Sequence, residues 1–144
     1  MRTLKIMNSK EKESFLDEAC GKYGLNRDQF RELVFLEDDE TVWVSNRDCL
    51  MHELRGFRLD SVGMFFARKK PKLELAVNAV QMFAAEAAKQ IKLGRGKALE
   101  FIAGAAVAVK ESDGVYVVKY GGDALDSGRV QGGLLKRTSK NSLI

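Results

Sequence analysis

The chain has 144 residues, of which 45% are hydrophobic and 31% charged, and 24 Lys and Arg residues outnumber 20 Asp and Glu residues. This composition fits one ordinary domain or two small ones and excludes a disordered chain, which lacks core-forming residues. The longest apolar run, residues 101–109, is far shorter than the roughly 20 residues of a membrane-spanning helix. The first residues turn polar by Asn8, so we expect neither a membrane span nor a secretory signal.

Local signals near the N-terminus predict a helix followed by a β-hairpin. Asn8 and Glu11 have the spacing of a capping box, and Gly24 suits the left-handed residue that follows a helix. Apolar runs at residues 33–36 and 41–45 flank an acidic loop, as in a hairpin.

Four further elements are predicted from capping residues, alternation and helix propensity. They are a short helix capped by Asn46 and ending at Leu54, a strand over residues 57–66 with a bulge near Gly63, a strand over residues 73–77, and an Ala-rich helix capped by Asn78 and ending near Lys89.

The last third of the chain has a different composition, because nine of the 13 glycines lie at or after Gly94. Short apolar runs between these glycines, preceded by a short amphipathic helix over residues 97–106, are typical of a small barrel or sandwich. We therefore predict an α+β protein with two domains. Residues 1–90 form an N-terminal α/β domain with an antiparallel sheet, and residues 91–144 form a small β-barrel.

The residues that usually support catalysis or metal binding are scarce. Cys20, Cys49 and His52 are too few and too widely spaced for a zinc site, and no serine lies in a GxSxG context. Residues 94–97 read GRGK, but they lack the remaining features of a phosphate-binding P-loop. We predict no catalytic residue, no metal and no cofactor, and we interpret both cysteines as buried thiols in a reducing compartment such as the cytoplasm.

The net charge of +4 is located entirely in the last third. Residues 1–90 hold 15 basic and 15 acidic residues, whereas residues 91–144 hold nine and five. Clustered basic residues attract phosphate backbones, although a solvated tail has the same composition. The candidate RNA-binding residues are Lys92, Arg95, Lys97, Arg129, Lys136, Arg137 and Lys140.

Two other features bear on RNA binding. Aromatic residues that could stack on bases are few here, namely Phe101, Tyr116 and Tyr120. A second basic stretch, residues 68–72, is expected at a hairpin tip of the first domain, where a solvated turn is the simpler interpretation.

A co-linear set of short motifs spans nearly the whole chain. They are MRTL at 1–4, KYGLN at 22–26, VWVS at 42–45, GFRLDSVG at 56–63 with Phe66, KLELAV at 72–77, AAEAA at 84–88, Phe101 with Gly104 and Val107, GVYVV at 114–118, and Leu125 with Gly128. In this order the chain resembles the archaeal-type members of the nip-seven family, small ribosome-biogenesis proteins that join an N-terminal α/β domain to a C-terminal PUA domain. It departs from many PUA domains in lacking a Pro-Gly pair after Val107.

The resemblance implies a non-enzymatic RNA-binding protein that acts in pre-rRNA processing and large ribosomal subunit assembly, in the cytoplasm or in the nucleolus of a eukaryote. It implies that the PUA-like domain contacts RNA, including uridine-rich single strands, and that the N-terminal domain contacts other assembly factors, without a membrane partner. Two alternatives stay open. One is a small RNA-modifying enzyme or an accessory subunit of one, and the other is an adaptor that binds only proteins.

Overall fold

A computed structural model describes residues 4–46 and 63–138 of the chain. In these residues ten strands form two five-stranded sheets, accompanied by three α-helices and one 3₁₀ helix. The protein is therefore of mixed α+β class, as predicted. No helix in these two ranges is long and apolar enough to cross a membrane.

The first sheet is antiparallel throughout and holds its strands in chain order. These strands are β1 (Lys5–Ile6), β2 (Leu33–Glu37), β3 (Thr41–Asn46), β4 (Met64–Arg68) and β5 (Glu74–Leu75). The helical elements of this part are α1 (Ser9–Tyr23), the 3₁₀ helix (Arg27–Phe30) and α2 (Val77–Phe83).

Helix α1 begins and ends at the residues that the sequence predicts. The Asn8 side chain accepts a hydrogen bond from the Glu11 backbone N–H, and the Glu11 carboxylate accepts one from the Asn8 N–H. Gly24 follows the helix with φ at 70°, in the left-handed region. A Cβ at Gly24 would lie 2.8 Å from the Lys89 backbone nitrogen, so glycine here also permits a close approach of the chain.

An aromatic cluster forms the centre of the first core. Phe15, Phe30, Phe35 and Phe66 are all buried, and the ring centroids of Phe35 and Phe66 are 5.2 Å apart at an interplanar angle of 85°. Such edge-to-face packing adds to the stabilisation that burial provides. Helix α1 and the 3₁₀ helix therefore pack on the first sheet through these rings.

The second sheet has the order β6-β8-β9-β10-β7, and only the β6–β8 pair is parallel. Its strands are β6 (Gln90–Lys92), β7 (Val107–Ala108), β8 (Gly114–Tyr120), β9 (Asp123–Gln131) and β10 (Leu134–Arg137), and helix α3 (Arg95–Ile102) connects β6 to β7. Phe101 of α3 is fully buried against a second core that includes Val118 and Leu135.

The first core continues into the second sheet. Val115, Val117 and Ala124 belong to the same buried cluster as the phenylalanines of the first part. The side-chain amide of Gln81 in α2 donates a 3.1 Å hydrogen bond to the Leu125 carbonyl of β9. The two sheets are thus joined by shared packing, and the division at residues 90 and 91 stays a prediction.

Several predicted elements differ from the observed ones or lie outside the described residues. The two outer strands of the second sheet, β6 and β7, are not paired with each other, so the described residues form an open sheet rather than a closed barrel. The register of the β3–β4 pair shifts between Val42 and Trp43, whose partners are Ala67 and Phe65. The irregularity therefore lies at Phe66 of β4 and not near Gly63, where the bulge is predicted. The predicted helix from Asn46 and the start of the predicted strand before residue 63 lie outside the described residues.

The Ala-rich helix is shorter than its composition predicts, ending at Phe83 rather than near Lys89. Backbone groups beyond it have partners elsewhere in the fold. The Ala88 N–H donates to the Gly24 carbonyl, and the Lys119 ammonium donates to the Ala85 carbonyl. Tertiary contacts here override the helix propensity of alanine.

Candidate nucleic-acid interface

A shallow groove of about 480 Å³ lies where β6 leads into α3 and where the chain leaves β7. We call it the lysine groove, and it is lined by residues 91–94, 97 and 108–111. Three of the lining side chains are basic, Lys92, Lys97 and Lys110, and one is acidic, Glu111. The groove therefore presents a local excess of positive charge on an exposed surface.

The local fold places each of these lysines. Lys92 is the exposed last residue of β6, next to Leu93, whose N–H donates to the Lys119 carbonyl at 2.8 Å. Lys97 lies in the first turn of α3, and its ammonium donates to the Ala108 carbonyl at 3.0 Å. This bond holds Lys97 across the groove, close to the β7 side that leads to Lys110.

The N-terminus of α3 adds to the positive character of the groove. Gly94 precedes the helix, and no side chain caps it. The first backbone N–H groups of a helix favour anions, because they lack intrahelical acceptors and lie at the positive end of the helix dipole. Arg95, exposed in the same turn, places a further cation beside the groove.

Arg137, which the sequence groups with Lys136, faces the protein interior. Its guanidinium donates to the Asp126 carboxylate at 2.9 Å and to the Ile102 carbonyl at 2.8 Å. The side chains of Arg137 and Asp126 are 11% and 1% exposed. This arginine therefore connects β10, β9 and the end of α3, and the RNA contact at Arg137 stays a prediction.

Arg129 and Lys136 lie apart from the lysine groove. They are directly paired across β9 and β10 and therefore share one face of the second sheet. Lys136 is exposed and Arg129 is half-buried. The structure thus divides the predicted interface between the groove and this face, while Lys140 lies outside the described residues.

The aromatic residues offer little surface for stacking on bases. Phe101 is fully buried, and the half-buried Tyr116 donates its hydroxyl to the Ser112 carbonyl at 2.9 Å. Tyr120, 43% exposed at the turn between β8 and β9, is the most accessible of the three predicted candidates. The surface is therefore suited to phosphate contacts more than to base stacking.

Lys110 is part of the groove but was not among the candidate residues. It follows the short strand β7, and its sequence neighbours give it no basic partner. Only the fold brings it to the groove that Lys92 and Lys97 also line. The sequence signal that points to Lys110 is its position directly after the apolar run at residues 101–109, in the last third of the chain where the net charge lies.

Residues with metal-binding or nucleophilic chemistry do not assemble in the described ranges. Within residues 4–46 and 63–138, no group of three His, Cys, Asp or Glu side chains is arranged to hold a metal ion. Cys20 is half-buried, and burial raises the pKa of its thiol. Cys49 and His52 lie outside the described residues.

A scan against protein-family models found no match, and a search of curated protein sequences found none either.

Proposed function

We propose that this protein is an RNA-binding factor without enzymatic activity and that the lysine groove contacts the phosphate backbone of single-stranded RNA. The observation that supports this most strongly is the convergence of Lys92, Lys97 and Lys110 on one groove beside an uncapped helix N-terminus. Phosphate contacts of this kind release counterions and supply most of the sequence-independent affinity for a nucleic acid.

The biological setting is proposed from the resemblance to nip-seven proteins. In that setting the RNA is a precursor of large-subunit ribosomal RNA, and the second sheet with α3 is a PUA-like unit. The open sheet β6-β8-β9-β10-β7 with one helix between β6 and β7 is the part of the fold to which this proposal refers. Other assembly factors are the proposed partners of the first unit, which comprises the first sheet with α1, the 3₁₀ helix and α2.

Crosslinking in cells, followed by sequencing of the bound RNA fragments, tests both parts of this proposal. We expect wild-type protein to recover fragments of large-subunit rRNA precursors. The variant Lys92→Gln/Lys110→Gln should recover far fewer, because two of the three groove lysines lose their charge. The matched control is Lys10→Gln/Arg31→Gln, which removes two exposed charges from the first unit.

Two outcomes would count against the proposal. Recovery of unrelated RNA, or of none, by the wild type would contradict the proposed function. Equal losses in the groove variant and the control would contradict the assignment to the groove.

A further inference from the structure

A second basic surface lies where α1 ends against the second sheet. The backbone N–H of Leu75 donates to the Tyr23 hydroxyl at 3.3 Å, and the Tyr23 ring belongs to the same buried cluster as Val115 and Val117 of β8. Tyr23 therefore packs the end of α1 between β5 and the second sheet. Its neighbour Lys22 donates its ammonium to the Leu73 carbonyl, which places that charge beside Lys72.

Strand geometry brings two more cations to the same place. Arg129 of β9 is the direct partner of Val115 on β8, so it lies on the face of the second sheet that meets Tyr23. Lys136 is the direct partner of Arg129 on β10 and shares that face. We call Lys22, Lys72, Arg129 and Lys136 the junction cluster.

The electrostatics of Lys22 agree with this placement. Burial lowers the pKa of the Lys22 ammonium, and the positive charges of Arg129 and Lys72 lower it further. The carboxylates of Glu74 and Glu18 oppose this effect. Lys72 and Lys136 remain exposed to an incoming anion.

We propose that the junction cluster binds a phosphate group of the same RNA strand, an inference that rests on the proposed function and extends it to the first unit. A bound phosphate would offset the repulsion between these like charges. The first unit would then contribute directly to RNA affinity through Lys22 and Lys72. Residues 1–90 have no net charge, so composition alone does not reveal this role.

Fluorescence anisotropy with a labelled uridine oligomer of about 15 nucleotides tests this inference. The variant Lys72→Gln/Lys136→Gln removes one exposed charge from each unit, and Lys10→Gln/Arg31→Gln is again the matched control. At about 0.1 M salt, we expect the junction variant to bind roughly tenfold more weakly than wild type, since two of the four cations around the bound phosphate are lost. The single variant Lys72→Gln should show part of this loss.

The outcomes separate the two proposals. If wild type binds and the junction variant binds as the control does, the junction inference is overturned and the groove proposal stands. If wild type does not bind even at low salt, the proposed function itself fails, and the junction site fails with it. Equal thermal midpoints of all the proteins, expected for exposed substitutions, show that the comparison concerns binding rather than folding.

Discussion

Lys136 and Arg137 are adjacent basic residues whose side chains have different environments. Lys136 is exposed on one face of β10, whereas Arg137 points to the opposite face and pairs with the buried Asp126. Strand alternation is sufficient to place them on opposite faces, but only the fold shows which face is buried. The sequence therefore predicts Lys136 and Arg137 as one site, whereas the structure places them on opposite faces of β10.

Single substitutions at Lys136 and Arg137 test whether only Arg137 stabilises the fold. Arg137→Ala should lower the free energy of unfolding by about 3 kcal/mol, because it removes the guanidinium that forms an ion pair with the buried Asp126 carboxylate. Lys136→Ala should change it by less than about 0.5 kcal/mol, as is usual for an exposed side chain. Urea unfolding of both variants measures the difference. Equal stabilities would contradict the structural role assigned to Arg137.

Helix α1 is the element that the sequence defines best, since its signals are local. Asn8, Glu11 and Gly24 act on backbone groups within a few residues of themselves, so their spacing predicts both ends of the helix. The hairpin of β2 and β3 and the tight turn at Gly121 and Gly122 were predictable for the same reason.

Other elements depend on contacts that are distant in the sequence. Strand β9 runs from Asp123 to Gln131, although Asp126, Ser127 and Gly128 interrupt the apolar pattern. Arg137 pairs with Asp126, and Gly128 leaves space that a Cβ would fill, 2.7 Å from a Leu135 methyl group. These partners are distant in the sequence, so no pattern within a few residues predicts them. No such pattern predicts that α2 ends at Phe83 either.

The cap of α1 also predicts a pH dependence. A hydrogen bond from the Lys5 ammonium, with the Asn8 backbone N–H, holds the pKa of the Glu11 carboxyl below its ordinary value of 4.5. The folded state thus favours the carboxylate. The stability that Glu11 adds is present above pH 4.5 and is lost as the pH falls through its folded pKa.

The variant Glu11→Gln isolates this contribution. At about pH 7 the wild type should have the higher urea midpoint, and at about pH 3 the difference should shrink, because the carboxyl is then largely protonated in the unfolded chain and the preference of the fold for the carboxylate opposes folding. A difference that is the same at both pH values would show that the charge of Glu11 has no part in the cap.

For the whole molecule, the distribution of charge matters more than its total. All of the +4 lies in residues 91–144, which led to the prediction of an interface there. The lysine groove lies within that range, but the junction cluster takes Lys22 and Lys72 from the neutral part. Because the first core runs from α1 into the second sheet, the two parts can present their cations together.

The salt dependence of RNA binding tests most directly the claim that the groove contacts phosphates. For wild type and Lys92→Gln/Lys110→Gln, the logarithm of the association constant is plotted against the logarithm of salt concentration. Loss of two phosphate contacts on a single strand should make the slope shallower by about 1.4. Identical slopes for the two proteins, or no binding by wild type at low salt, would contradict the account.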